Sequence, residues 1–338
     1  MKRPLRILFS LVVISALCGF ALIILFGGRR ASPPAMPNPN GLDDLVKAGE
    51  MVSESLDDYK TASTGELHAY VAKHAAALER LRVGLGRECR VPLDIGVSNS
   101  LLVLASIKKL ALLLSAEGRL AELENRPANA VHSYLDAVHL GSEVSRGGPI
   151  INRLVGNACA ALGLAPLAKL APTLACEQIR PTVAELEKLS SADVTWDEVR
   201  QNERAYVRQL LHQSHNPIMR LPMQVASLWA SRDAIRNAEQ KHNRVAARIR
   251  LLTVELALRC YRSEEGPVPV DLKNLIPKHL KLLPADPFSG QPLVYRAQGT
   301  NWLLYSVGPD GVDDGGVSVG RPVPGSVPKG DLLFDSPW

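Results

Sequence analysis

The sequence predicts a mostly α-helical chain that ends in a small α+β module. Three observations lead to that fold class. An uncharged run, ILFSLVVISALCGFALIILF, fills residues 7–26. From about residue 41 to 240, apolar side chains recur at steps of three and four, as at Leu101, Leu104, Ile107, Ala111 and Leu114, which is the period of a helix face. Near residue 261 the composition changes: 11 of the 24 prolines and 7 of the 16 aromatic residues fall in the last 78 positions, so a different kind of structure begins there. At 338 residues, with 46% hydrophobic and 22% charged side chains, the chain can bury a sizeable core.

The first element is expected to be a cytoplasmic stub and transmembrane anchor over residues 1–30. About 20 apolar residues span a hydrocarbon core of roughly 30 Å, whereas a cleaved signal has an apolar stretch of about 7–15. The segment GGRRASPP that follows is a poor cleavage context. Lys2, Arg3 and Arg6 outweigh Arg29 and Arg30, so the positive-inside rule leaves the bulk of the chain on the outer, periplasmic side of the membrane. Residues 1–30 carry five basic and no acidic side chains against a total of +5, so the rest of the chain sums to zero and no footprint for nucleic acid remains. Cys18 lies inside the apolar run behind Leu17, where a lipoprotein signal needs a small residue.

Residues 31–40, ASPPAMPNPN, hold four prolines and read as a stiff linker. Residues 41–240 then read as an α-helical interaction domain of about seven helices, a bundle or a short helical repeat. Breaks are expected at 84–92, 124–129, 145–149 and 215–217. Within it, SAEGRLAELENRPANAVHSYLDAVHLG (115–141) resembles a tetratricopeptide-type helical hairpin, with Ala130, Tyr134 and Ala137 as the small, aromatic and small residues of its second helix. Cys159 and Cys176 sit in helical sequence and are expected as small buried apolar groups, while four dispersed cysteines permit a disulfide without demanding one.

Residues 241–338 form the last expected unit. A charged helix over roughly 233–264 leads into it, with Val245, Ile249, Leu252 and Leu256 on one face and Arg244, Arg248, Arg259 and Arg262 on a solvated one. PLVYRA and NWLLYSV are short β-rich runs around a glycine-containing turn and predict a hairpin, with DLLF (331–334) as a third strand. The helix should pack on this small antiparallel sheet, because a lone hairpin is marginal in water.

The segment LPADPFSGQPLVY, followed by a strand and SVGPDGVDDGG, resembles the C-terminal domain of the type II secretion major pseudopilins. Asp286, Pro287, Gly290, Pro292 and Tyr295 carry the first half of the likeness; Ser306, Gly308, Asp310, Gly311, Gly315 and Gly316 carry the second. About 100 residues are covered, and the resemblance implies that the acidic loop binds calcium. The residues themselves point the same way. Crowded carboxylates repel one another unless a cation or solvent screens them, glycines supply tight turns, and Ca2+ takes six to eight oxygen ligands. Asp310, Asp313, Asp314 and a returning Asp331 are the candidate ligands; a solvated acidic turn is the simpler alternative. The leader departs from that family, since Ile24 stands where a glutamate is needed after Gly19. The module reads as borrowed.

Catalytic motifs are not legible, and the chain is expected not to be an enzyme. GVSVG (316–320) has no helix behind it and no histidine after His279. His212 with His215, and His132 with His139, lack the further ligands of a zinc set. The expected function is that of a membrane-anchored envelope binding or scaffold protein with a protein partner. A pilin-like subunit polymerising through its N-terminal helix is the alternative, and an enzyme built from dispersed residues a further one.

Overall fold

The structure is a computed structural model that describes residues 35–93, 97–213, 217–320 and 328–334; for 97–100, 210–213 and 217–232 only the backbone path is described. The expected anchor at 7–26 lies outside the described residues. Nine α-helices are found among those residues: α1 (Gly41–Glu50), α2 (Thr64–Lys73), α3 (Ala75–Leu85), α4 (Val97–Leu123), α5 (Pro127–Glu143), α6 (Ile150–Leu170), α7 (Cys176–Ala192), α8 (Trp196–Gln213) and α9 (Pro217–Glu265). Three strands follow, β1 (Val294–Gln298), β2 (Asn301–Ser306) and β3 (Leu332–Leu333). The fold class is therefore mostly α with a small α+β end, as the sequence predicts.

Local chemistry sets the helix ends. Asn40 caps α1 by accepting from the Leu42 amide at 3.2 Å, and the same side chain exchanges two hydrogen bonds with the Arg90 backbone. Ser63 and Glu66 form a reciprocal capping box on α2. Pro127 opens α5, where a missing N–H costs nothing. Eight helices precede residue 214 rather than about seven. The extra breaks fall at 51–63, at His74, at 171–175 and at 193–195. One is local, where the buried His74 ring bonds the Tyr70 carbonyl one turn back; another is set by a tertiary partner, where Asp193 turns onto Arg153 of α6.

Small residues govern how closely the central helices approach. A Cβ on Gly118 of α4 would collide with the Tyr134 ring of α5, and one on Gly156 of α6 would collide with the Gly141 carbonyl of α5. Ala130, Tyr134 and Ala137 are all buried, and the Tyr134 hydroxyl donates to Glu122 at 2.7 Å. By length and composition Ile150–Thr173 could cross a membrane, with a mean hydropathy of 1.5; half of that stretch is buried inside the bundle.

The long helix α9 is the spine of the C-terminal half. Every residue from Leu251 to Leu258 is buried, because α6 and α7 cover one side and the sheet covers the other. Ile249, Leu252 and Leu256 are buried as their spacing predicts. The arginine face is not simply solvated: burial pushes Arg248 down to about 10, with Arg244 adding to the shift, while Arg259 pairs with Glu255 at 2.8 Å and Arg262 stacks over Trp302.

The sheet order is β1-β2-β3, antiparallel throughout, with Val294 opposite Tyr305 and Ser306 opposite Leu332. One hydrophobic cluster takes Tyr134 and Leu164 from the bundle, Leu252 and Leu256 from α9, and Leu304 and Leu332 from the sheet. Residues 41–240 and 241–338 thus share a core, and position 240 falls inside a continuous helix. Residues 37 onward form one compact unit.

Candidate functional site

The module is organised by two buried carboxylates. Asp286, in the segment LPADPF, is fully buried. Its Oδ1 accepts from the Phe288 amide at 2.9 Å and the Ser306 hydroxyl at 2.9 Å, and its Oδ2 from the Val307 amide at 2.8 Å. Its own amide donates to the Gln291 carbonyl at 2.6 Å, and Arg250 of α9 reaches the neighbouring Ala285 carbonyl at 2.6 Å. One side chain thereby fastens the turn before β1 to the end of β2.

Asp331 does the same for the acidic loop. It enters β3 fully buried and accepts from the Gly316 amide at 2.7 Å and the Asp314 amide at 3.3 Å. Asp310 answers from the loop, accepting from Gly330 at 3.3 Å and Val312 at 3.3 Å. Gly308 has φ +71, and a Cβ there would meet the Gly330 carbonyl, so the loop and the start of β3 close only around glycine. Asp313 turns back to the sheet, accepting from the Tyr305 hydroxyl at 2.7 Å and Arg296 at 3.3 Å. Asp310, Asp313, Asp314 and Asp331 are thus brought to one loop closure, with Asp331 at its base and the other three around its rim.

The charges in this loop are unequally served. The Tyr305 hydroxyl first, then the Gly315 amide, hold Asp313 below the usual carboxylate range. Burial, with Asp313 adding to it, pushes Tyr305 up to about 12. Asp331 moves the other way: burial raises it most, the Gly316 and Asp314 amides oppose, and the charges of Asp313 and Asp314 raise it further. Among the described residues no basic side chain bonds to Asp331. A buried carboxylate facing two others without a cation is the arrangement that a bound cation relieves. The residues match calcium in charge and in donor type, but no three of the four carboxylates bring ligand oxygens within 4.8 Å of one another, so holding the ion would require the rim side chains, Asp313 above all, to turn inward from their present partners.

Elsewhere, Cys176 departs from expectation. It is disulfide-bonded to Cys260, with a Cα–Cα distance of 5.2 Å across 84 residues, and ties the start of α7 to α9. Cys89 and Cys159 are free and buried, and burial pushes both thiols up to about 12. Two adjoining clefts of about 490 Å³ each flank α5 and share Ala128 and His132. One is walled by Val131 and Leu135 against Pro181 of α7; in the other, Arg82 binds Glu117 at 2.6 Å and also reaches Asp136 at 2.9 Å. His132 lies 3.6 Å from Asp136, and His139 lies 3.7 Å from Glu143. The His212 and His215 pair lies outside the residues whose side chains are described.

Sequence reasoning named Asp286 through its motif without assigning it a role; a carboxylate between two prolines and a turn was the available signal. Nothing local signalled the Cys176–Cys260 pair. No protein family, curated protein or solved structure matches the chain.

Proposed function

We propose that this chain is a membrane-anchored envelope protein that binds or scaffolds a protein partner rather than catalysing a reaction. Its C-terminal module, of the kind the pseudopilin resemblance implies, is stabilised by calcium. The anchor is residues 7–26 and the bulk of the chain faces the outer side. The observation that carries the calcium reading is Asp331: a fully buried carboxylate at the base of a loop that holds three more, bonded by the Gly316 and Asp314 amides and by no basic side chain among the described residues. The Cys176–Cys260 disulfide supports the location, because such bonds persist in oxidising compartments. The clefts beside α5 support the binding role, since they offer a partner an apolar wall and a polar one on the same helix.

Calcium titration of the purified full chain by calorimetry tests this reading, alongside a variant with Asp310, Asp313 and Asp314 all changed to Ala. One-site binding that the variant loses supports it. No binding, together with a melting temperature unchanged by chelator, reduces the loop to a solvated turn. Alkylation of unreduced protein tests the location separately: Cys176 and Cys260 should stay unlabelled in protein taken directly from cells.

A further inference from the structure

A second group of potential ligands lies away from the acidic loop, where α9 ends. Glu264 and Glu265 close that helix, and His279 follows the short 3-10 turn Leu272–Leu275. Their ligand atoms all lie within 4.8 Å of one another. The His279 side chain is 1% exposed, and neither ring nitrogen has a hydrogen-bond partner. A buried polar ring left unbonded at both nitrogens is uncommon in folded proteins. Its Nε2 lies 4.0 Å from Glu264 Oε2, too far for a hydrogen bond but close enough for one ion to bridge the two. The ring is held by its backbone, since the His279 amide donates to the Leu275 carbonyl at 2.8 Å, and by an edge contact with Tyr261.

The place between the two carboxylates is taken by an ammonium group. Lys278 Nζ lies 2.6 Å from Glu265 Oε1 and 3.1 Å from Glu264 Oε2. About half of the Lys278 side chain is exposed, so it can swing into solvent and leave the two acids and the imidazole facing one position. Arg180 also pairs with Glu264, from the open side.

We infer that Glu264, Glu265 and His279 form a site for a divalent transition metal of the zinc class, with Lys278 standing in for the cation in its absence. The imidazole decides the class: one nitrogen and two carboxylate oxygens suit Zn2+ or Co2+, whereas Ca2+ and Mg2+ take oxygen donors alone. Zinc binds nitrogen and oxygen at about 2.0–2.2 Å, so tetrahedral ligands sit about 3.4 Å apart and the present spacing closes by side-chain rotation. Burial holds His279 below its ordinary pKa, with Glu264 opposing, which keeps the ring in the neutral form that ligates. Three protein ligands leave a fourth position to water. The ion would pin residues 277–280, at the entrance to the module, onto the end of α9. This site shares no residue with the calcium loop and does not depend on it.

The test uses the full chain, untagged, chelator-washed and never reduced, because Cys260 Sγ lies 3.8 Å from Glu264 and freed thiols would bind zinc on their own. Zn2+ is titrated by calorimetry and Co2+ by its visible absorption. Wild type should show one saturable site. Glu265→Gln, an exposed change whose ion-pair partner among the described residues is Lys278, should weaken it at least about tenfold, and His279→Gln should do the same and shift the cobalt spectrum. Lys278→Gln should tighten binding several-fold by removing the competing ammonium. Asp313→Asn should leave it unchanged, which separates this site from the acidic loop. Absence of saturable binding in both wild type and Lys278→Gln overturns the inference. Binding undiminished by either Glu265→Gln or His279→Gln, with helical circular dichroism intact, overturns it equally.

Discussion

The helical bundle and the C-terminal module are held together by different means. In the bundle, Ile107, Leu110, Leu113, Leu114 and Leu140 are fully buried, and helices touch through glycine and alanine, so stability is spread over many small apolar contacts. In the module, β1 is half exposed, β3 is two residues long, and turns outnumber strands. Its integrity rests on two buried carboxylates, Asp286 and Asp331, which collect backbone amides from segments 21 residues away in the first case and 15 and 17 in the second. Distributed burial tolerates single losses. A polar node does not, because removing it leaves several buried donors unbonded at once.

The largest expected effect therefore lies in the module. Asp286→Ala removes the acceptor of the Phe288 and Val307 amides and of the Ser306 hydroxyl, and should cost about 3–5 kcal/mol. Urea unfolding reads the two regions apart when far-ultraviolet circular dichroism is compared with tryptophan fluorescence in a background where Trp196, Trp229 and Trp338 are changed to Phe, leaving Trp302 in β2. Loss of the tryptophan transition at lower urea than the helical one would sharpen the comparison. Coincident transitions would break it, and would mean that the shared core around Leu252 and Leu304 couples bundle and module completely.

Next comes the covalent tie between α7 and α9. Cys176→Ser with Cys260→Ser frees a loop of 84 residues, for which chain entropy gives about 4.5 kcal/mol as an upper figure and experience about 2–4. Thermal melts with and without reductant should show the same loss in wild type and none in the double variant. Gly156→Ala probes the bundle itself. Its new Cβ meets the Gly141 carbonyl and the Ser145 hydroxyl, so α5 and α6 must part, at a cost of about 1–3 kcal/mol. An Ala substitution that stabilises α6, as helix propensity alone predicts, would show that the close crossing is slack.

How much of this was legible in the sequence follows the same division. Helix faces are local patterns, so Leu104, Ile107, Ala111 and Leu114 announce their burial by spacing, while Leu101 of the same series is exposed and the burial of α9 runs right round the helix over Leu251 to Leu258. The β hairpin and the position of β3 were legible because glycine and proline punctuate short β-rich runs. The partners of isolated polar residues were not. Asp193 ends α7 because Arg153, 40 residues earlier, needs a carboxylate in the interior. Cys176 finds Cys260 only after α7 and α9 have packed, and His279 meets Glu264 only after the turn at 272–275 has folded. For the acidic loop, the turn itself was legible from the crowding of Asp and Gly, whereas the separate partners of its carboxylates, Tyr305 for Asp313 and Gly330 for Asp310, were not. That Asp331 would be the buried one required the β2–β3 pairing.

The smallest expected effect concerns Asp331 and separates a cation site from a simple turn. Burial and its acidic neighbours raise its pKa in the folded chain above the unfolded value, so the folded state holds a proton where the unfolded state has released it. Stability from this group is then greatest below the unfolded carboxylate pKa of about 3.9 and declines as pH rises through the folded value. Asp313 works in the opposite sense, its lowered pKa adding stability above the unfolded value, but it is exposed and screened. Without calcium, Asp331→Asn should change the module's melting temperature at pH 7 little, because the amide oxygen keeps the 2.7 Å bond from Gly316 and loses only the longer one from Asp314, while the cost of the buried charge is removed. With 1 mM calcium and an affinity of about 10⁻⁴ M, as in extracellular modules, wild type should gain about 1.4 kcal/mol, and Asp331→Asn should lose most of that gain. If wild type instead melts lower than Asp331→Asn at every calcium concentration, the buried carboxylate is a cost with no cation to offset it. The module would then rest on Asp286 alone, and the contrast with the bundle would sharpen to a single residue.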